Sequence, residues 1–151
     1  MKMITGRRDV LGTSVSVTHG TAHLALYDQA MWDKYQLTRL ASEKFKTNTL
    51  IIEQKAAAAD PANYEDPAGV FSSEDNSIPA LMRRGVVFMC CHDAIWDQAA
   101  ALIKADVDPD RLSCAALAAE LTNHLVDGVV LIPGAAATML ELEQAGFHYA
   151  Q

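Results

Sequence analysis

A continuous apolar run at residues 86–90, Val-Val-Phe-Met-Cys, is the feature that most constrains how this chain can fold. It follows the polar break Arg-Arg-Gly at 83–85 and stops at Cys-His-Asp at 91–93. A run of this length between polar breaks is typical of a strand buried on both faces. Apolar residues at helical spacing then begin, with Asp93 as the predicted cap. The stretch therefore predicts a parallel-type strand followed by a helix.

The rest of the chain alternates between β-rich and helical patterns. Further strands are predicted at residues 11–18 and 129–132, with shorter ones at 49–52 and 147–149. Helices are predicted at 21–37, at 78–84, from 93 onward, at 112–125 and at 135–144, the last ending at Gly146 as a left-handed cap. This order predicts one α/β domain over residues 1–151, with a doubly wound, mostly parallel sheet and helices on both faces.

An irregular segment at about 47–79 interrupts this pattern. Its prolines, Pro61, Pro67 and Pro79, break regular structure, and a single helical turn is the most that residues 56–59 indicate. A loop this long inside a compact domain is typically a lid, an interface element or a disordered segment. We therefore interpret it as an insertion into the domain.

Charge and hydropathy exclude two classes of partner. The formal net charge is −7, and no basic stripe offsets it, which argues against a nucleic-acid partner. No apolar run approaches the roughly 18 residues that a membrane span needs. The sequence therefore predicts a soluble protein that binds neither nucleic acid nor membrane.

The cysteines point to a reducing compartment. Cys90, Cys91 and Cys114 are an odd number and lack zinc-site spacing, so we expect no disulfide framework, no metal site and no cofactor. We therefore expect a cytoplasmic location. The alternative is the periplasm, because Arg-Arg at 7–8 resembles part of a twin-arginine export signal, although polar residues follow it.

Cys91 is the first candidate for chemistry, because it lies where the central strand becomes a helix. Unpaired N–H groups and the positive end of the helix dipole favour a nucleophilic thiolate there, and His92 could assist it. Buried packing is the alternative for a free cysteine, and we expect it for Cys90 and Cys114. We expect Cys91 to react before the other two thiols.

Four more residues are candidates for the site: three that follow predicted strands and one tryptophan. His19 follows the first strand as Cys91 follows the second, so it is a candidate base or thiolate neighbour; a backbone-satisfied imidazole is the alternative. Pro133 and Gly134 end the third strand and could offer N–H groups to an anion, or simply form a tight turn. Trp32 is a candidate substrate contact, with a core or interface role as the alternative.

Taken together, three segments resemble DsrE/DsrF-like proteins. The first is His-Gly-Thr-Ala at 19–22, followed by Asp28 and Trp-Asp-Lys-Tyr at 32–35. The second is Arg-Gly-Val-Val-Phe-Met-Cys-Cys-His-Asp-Ala at 84–94, which matches a central strand with one cysteine at the position of Cys91. The third is Leu-Ile-Pro-Gly at 131–134 with Glu-Gln-Ala-Gly-Phe-His-Tyr at 143–149. The likeness covers about 15–149, except the loop at 47–77.

The resemblance implies a DsrE-like α/β sandwich that assembles as a trimer or hexamer. It also implies a persulfide on Cys91, exchanged with a sulfur-donor or acceptor protein. Two features depart from the family: few residues precede the first strand, and Ala-Ala-Ala at 135–137 replaces bulkier residues. A non-catalytic oligomeric binding module remains an alternative, as does a redox sensor in which Cys90 resolves an oxidised Cys91.

Overall fold

A three-stranded parallel sheet lies at the centre of the protein in a computed structural model that describes residues 14–41, 45–53 and 75–149. Its strands, in spatial order, are β1 (Val15–Thr18), β2 (Val87–Cys91) and β3 (Val130–Ile132). Both pairings are parallel, so β2 is the central strand in the described part of the chain. The predicted α/β class with a parallel sheet is confirmed.

Six helices accompany this sheet within the described ranges. They are α1 (Gln29–Lys34), α2 (Thr38–Ala41), α3 (Ile78–Arg83), α4 (His92–Lys104), α5 (Cys114–Asn123) and α6 (Ala135–Gln144), with 3-10 turns at Gly20–Leu26 and Thr49–Ile51. Side-chain oxygens of Asp28, Ser77 and Ser113 accept N–H bonds at the starts of α1, α3 and α5. None of these helices has the length and apolarity that a membrane crossing requires.

One face of the sheet carries the main core. Phe88 and Cys90 of β2 point into it, and α4, α5 and the first 3-10 turn cover it. Its fully buried members include Leu24, Tyr27, Ile95, Ala99, Leu117 and Leu121. Burying each large aliphatic side chain stabilises the fold by about 1.5–3 kcal/mol, so this face supplies most of the hydrophobic driving force.

The other face of the sheet is only partly covered. Here Cys91 packs with Ala94, with Ala135 at the start of α6, and with the half-buried Val17. Farther along this face Val130 of β3 is 43% exposed. Among the described residues, the cluster of buried side chains on this face is therefore much smaller than the main core.

The long helix predicted at 21–37 is wrong, because the chain breaks in its middle. Tyr27 adopts an extended conformation and pairs with Leu125 in an isolated antiparallel bridge, while Val126 N donates to the Leu26 carbonyl. Asp28 then caps a new helix. The helical spacing of apolar residues is compatible with both arrangements, and only the contact with Leu125 selects the broken one.

Several predicted boundaries also change. Residues 49–51 form a 3-10 turn rather than a strand, and 147–149 form no strand. Residues 11–13 of the first predicted strand, the helical turn at 56–59 and most of the insertion lie outside the described residues. Cys91, not Asp93, is the residue that precedes α4. Gly146 does adopt the predicted left-handed conformation, with φ of 93°.

Candidate functional site

The carboxyl edge of the sheet brings the ends of all three strands together. Thr18 pairs with Cys90 across β1 and β2, and Cys91 pairs with Ile132 across β2 and β3. His19, Cys91 and Pro133 therefore follow or end neighbouring parallel strands at one edge. In an open parallel sheet this is the edge where ligands usually bind.

The Cys91 thiol lies at the start of α4 but is shielded from solvent. Cys91 is extended, with φ of −73° and ψ of 117°, and precedes a helix of 13 residues. The residue is 1% exposed, because Val17, Ala94 and Ala135 pack around it. This packing restricts the size of any reagent that reaches the thiol.

Exposure ranks the three cysteines differently from the sequence-based expectation. Cys90 and Cys91 are buried, whereas Cys114 at the start of α5 is partly exposed. A reagent that must approach from solvent therefore meets Cys114 first. The expectation that Cys91 reacts before the others stays a prediction that only a small reagent can test, because a position at a helix end does not guarantee access.

His19 borders a small, mostly apolar cavity of about 210 Å³ beside the sheet edge. The backbone of His19 is extended, and its side chain is exposed. Ala94 and Gln98 of α4 line the same cavity. Ala94 and Gln98 lie three and seven residues after Cys91, on the same face of α4. Ala94 therefore packs against Cys91 on one side and lines the cavity on the other.

Gly134 does not form an open anion site with Pro133. A Cβ atom placed on Gly134 would lie 3.3 Å from Oδ2 of Asp93, so the Asp93 carboxylate occupies the space beside the start of α6. A bound anion would face this negative charge. The predicted anion-binding role of Pro133 and Gly134 is therefore disfavoured, and the tight turn is the better interpretation.

His92 and Trp32 both have partners other than the thiol. His92 Nε2 accepts a hydrogen bond from Trp96 Nε1 at 3.2 Å, and the two rings meet edge to face. Trp32 is buried in the core, where its Nε1 donates to the Leu24 carbonyl at 2.9 Å. His92 is thus held along the exposed side of α4, and Trp32 is not part of the cavity beside His19.

A buried thiol–imidazole pair is the feature that sequence reasoning missed. Cys90 Sγ lies 2.8 Å from His23 Nε2, and both residues are 0% exposed. His23 Nδ1 lies 3.3 Å from Thr18 Oγ1, which itself donates to the Met89 carbonyl at 3.1 Å. The single hydroxyl proton is used by Met89, so Nδ1–H donates to Thr18, and Nε2 accepts the Cys90 proton.

Burial keeps this pair electrically neutral. Loss of solvent lowers the pKa of His23 to about 4, although a hydrogen bond at Thr18 opposes the shift. Burial also raises the pKa of Cys90 to about 12. At neutral pH Cys90 is therefore a protonated thiol, and it points to the opposite face of the sheet from Cys91. A resolving role for Cys90 does not fit this arrangement.

A second buried chain of hydrogen bonds supports the loop that carries His19. Tyr27 Oη donates to Gln98 Oε1 at 2.7 Å, and Gln98 Nε2 donates to the Gly20 carbonyl at 3.0 Å. Gly20 has φ of 61°, a conformation that glycine adopts at little cost. In the sequence, Tyr27 and Gln98 are only isolated polar residues within apolar helical patterns, so nothing there indicates that they bond to each other.

Comparisons with known proteins found no matching family model and no match among curated proteins or solved structures. Among the residues that the structure describes, no group of three or more histidine, cysteine or acidic side chains could hold a metal ion.

Proposed function

We propose that the protein is a DsrE-like sulfur carrier of the cytoplasm in which Cys91 accepts and donates a persulfide sulfur. The observation that carries the proposal is the position of Cys91. It ends the central strand and immediately precedes α4, and its neighbour Cys90 pairs with Thr18, the last residue of the strand that leads to His19. A thiol at such a helix start is suited to nucleophilic attack.

The proposed reaction requires no external oxidant or reductant. The Cys91 thiolate attacks the outer sulfur of a persulfide donor R–S–SH, and a new S–S bond forms on Cys91. The donor's own S–S bond breaks, and its electron pair leaves with R–S⁻. The products are the Cys91 persulfide and the donor thiolate, and the reverse exchange passes the sulfur to an acceptor thiol.

The surroundings of Cys91 favour small donors. Ala94, which packs against the thiol, also lines the cavity of about 210 Å³ that His19 borders. A donor held in this cavity would have His19 at its rim and an apolar wall of α4 beside it. We assign His19 the role of balancing the negative charge of the thiolate and of the persulfide.

Sulfur uptake should depend on Cys91 and be modulated by His19. Because Cys114 is partly exposed, the Cys114→Ser protein is the parent, and it should gain the mass of one sulfur atom with inorganic polysulfide. Adding Cys91→Ser should abolish the gain. Adding His19→Ala should slow it about fivefold, the effect of an exposed charge interaction. Intact-mass spectrometry at timed intervals measures all three.

Two results would contradict this mechanism. Sulfur uptake that persists without Cys91 and Cys114 would assign the reaction to Cys90. A parent protein that takes up no sulfur at any time would leave Cys91 as a packing residue.

A non-catalytic assembly module is the second candidate, and a specific observation favours it. Val130 and Leu131 of β3 are 43% and 42% exposed, and Leu140 of α6 and Tyr149 are 61% and 60% exposed. An apolar strand at the edge of a sheet is normally paired or covered. β3 lies at an edge of the sheet in the described part of the chain, and we infer that this edge joins copies of the chain in a trimer or hexamer.

Light scattering at micromolar concentration should give a multiple of the monomer mass. Replacing Leu131 by lysine places a charge on the exposed edge and should shift the protein to monomer. Ile103→Lys is the matched control, since Ile103 is similarly exposed, at 39%, but lies on α4. A monomer in the unmodified protein would refute the assembly.

A further inference from the structure

A second group of polar side chains is organised around Asp28, in a groove separate from the cavity beside His19. Asp28 Oδ1 accepts from Met31 N at 2.9 Å, and Asp28 N donates to the His124 carbonyl at 3.0 Å. Its Oδ2 lies 2.7 Å from His124 Nδ1. Both carboxylate oxygens are therefore engaged, and the imidazole of His124 is held in one orientation.

This orientation directs the hydrogen-bonding capacity of His124 to its other nitrogen. Nδ1 donates to Asp28, and in the tautomer that carries its only proton on Nδ1 the other nitrogen, Nε2, is an acceptor. Within the described ranges, no hydrogen bond involves Nε2. In metal sites a carboxylate orients a ligating imidazole in the same way, by accepting its other N–H.

The groove that His124 lines is open to solvent and large enough for a small molecule. Its volume is about 470 Å³, within the range of roughly 300–1,000 Å³ that is usual for ligand pockets. Ile51, Met82 and Leu125 provide an apolar wall, and His124 and Asp127 provide polar atoms. An apolar wall beside a few hydrogen-bond acceptors suits a ligand that has an apolar body and a polar end with several N–H donors.

The charged residues of the groove indicate which charge the polar end of the ligand carries. Asp28 and Asp127 both line it, and among the described residues no lysine or arginine does. Asp127 is exposed and makes no ion pair among the described residues, whereas Lys34 and Arg83 are paired with Glu120 and Glu53. The local excess of acceptors and negative charge therefore favours a cation.

We propose that this groove binds a small organic cation, in which an amidinium, guanidinium or ammonium group is joined to an apolar body. The N–H groups of the cation donate to the Asp127 carboxylate and to His124 Nε2. The apolar body packs against Met82 and Leu125. The proposal does not depend on the chemistry of Cys91.

Benzamidine and benzamide form a matched pair of probes, because they have the same shape and differ in charge. Titration of the ¹⁵N-labelled protein with benzamidine should shift the amide signals of residues 123–127 in a saturable way, and benzamide should not. N-acetylarginine methylamide, titrated in parallel, presents the guanidinium of a partner protein. Tighter binding of benzamidine points to a free small molecule, and tighter binding of the arginine derivative to a protein side chain.

Two variants show whether the proposed contacts are responsible. Asp127→Asn should weaken benzamidine binding about fivefold, the upper range for one exposed ion pair. Glu141→Gln removes the same charge from α6 and should leave the binding unchanged. Equal binding of benzamide, no saturable shift at 123–127, or unchanged affinity in Asp127→Asn would each overturn the proposal.

Discussion

Acidification from pH 6.5 towards pH 4 should lower the free energy of unfolding by about 3 kcal/mol through His23 alone. Burial lowers the pKa of His23 from 6.5 to about 4 in the folded protein, whereas the unfolded chain keeps the ordinary value. Between these two values the unfolded state binds the extra proton. The contribution of the neutral His23 to stability is therefore fully present above pH 6.5 and is lost as the pH falls towards 4. Since a domain of this size is typically stable by only about 5–15 kcal/mol, the loss is large.

Urea unfolding at a series of pH values measures this effect. His23→Gln removes the titrating group and should flatten the stability curve between pH 6.5 and 4, whatever its stability at neutral pH. His148→Gln removes an exposed imidazole and should keep the full acid dependence. Equal slopes in both variants would mean that His23 is not held neutral by burial.

Alkaline conditions should also destabilise the folded protein, through Cys90, the other member of the buried pair. Burial raises the pKa of Cys90 from 9.0 to about 12, so between these values the unfolded state loses a proton that the folded state keeps. Stability is present below pH 9 and falls as the pH rises. By about pH 11 the loss from Cys90 is about 3 kcal/mol, and burial raises the pKa of Tyr27 in the same sense.

The Cys90 contribution is isolated by comparing two alanine variants. Cys90→Ala should reduce the loss of stability between about pH 8 and about pH 11, whereas Cys114→Ala, at a partly exposed thiol, should preserve it. Thermal unfolding followed by circular dichroism gives both differences. The same alkaline loss in the two proteins would place the Cys90 thiol in a more polar environment than its burial indicates.

The acid and alkaline dependences of stability together indicate the role of the buried Cys90–His23 pair. Near neutral pH the Cys90 thiol and the His23 imidazole are both uncharged, and each satisfies the other in an apolar core. A thiolate–imidazolium pair at this position would need two charges in a desolvated site. This pair therefore stabilises the fold, and its protonated thiol is unsuited to nucleophilic attack near neutral pH.

The sequence by itself determined the sheet and the position of the candidate thiol. The continuous apolar run of β2, with its polar breaks, specifies a buried parallel strand, because only such a strand is apolar on both faces. The switch to helical spacing after Cys91 then sets the start of α4, and the bounds of α6 were predicted as observed. The shared edge of His19 and Cys91 followed from the geometry of parallel strands.

Only the tertiary structure decided which side chains meet and which are accessible. His23 and Cys90 are 67 residues apart in the chain, and nothing in local periodicity pairs an imidazole with a thiol across the core. The burial of Cys91 depends on Ala135, which arrives from a later helix. The break at Tyr27 depends on Leu125, and the Asp28–His124 contact lies beside that bridge. Periodicity reports the face on which a residue lies, whereas long-range packing determines its partner, its exposure and its charge.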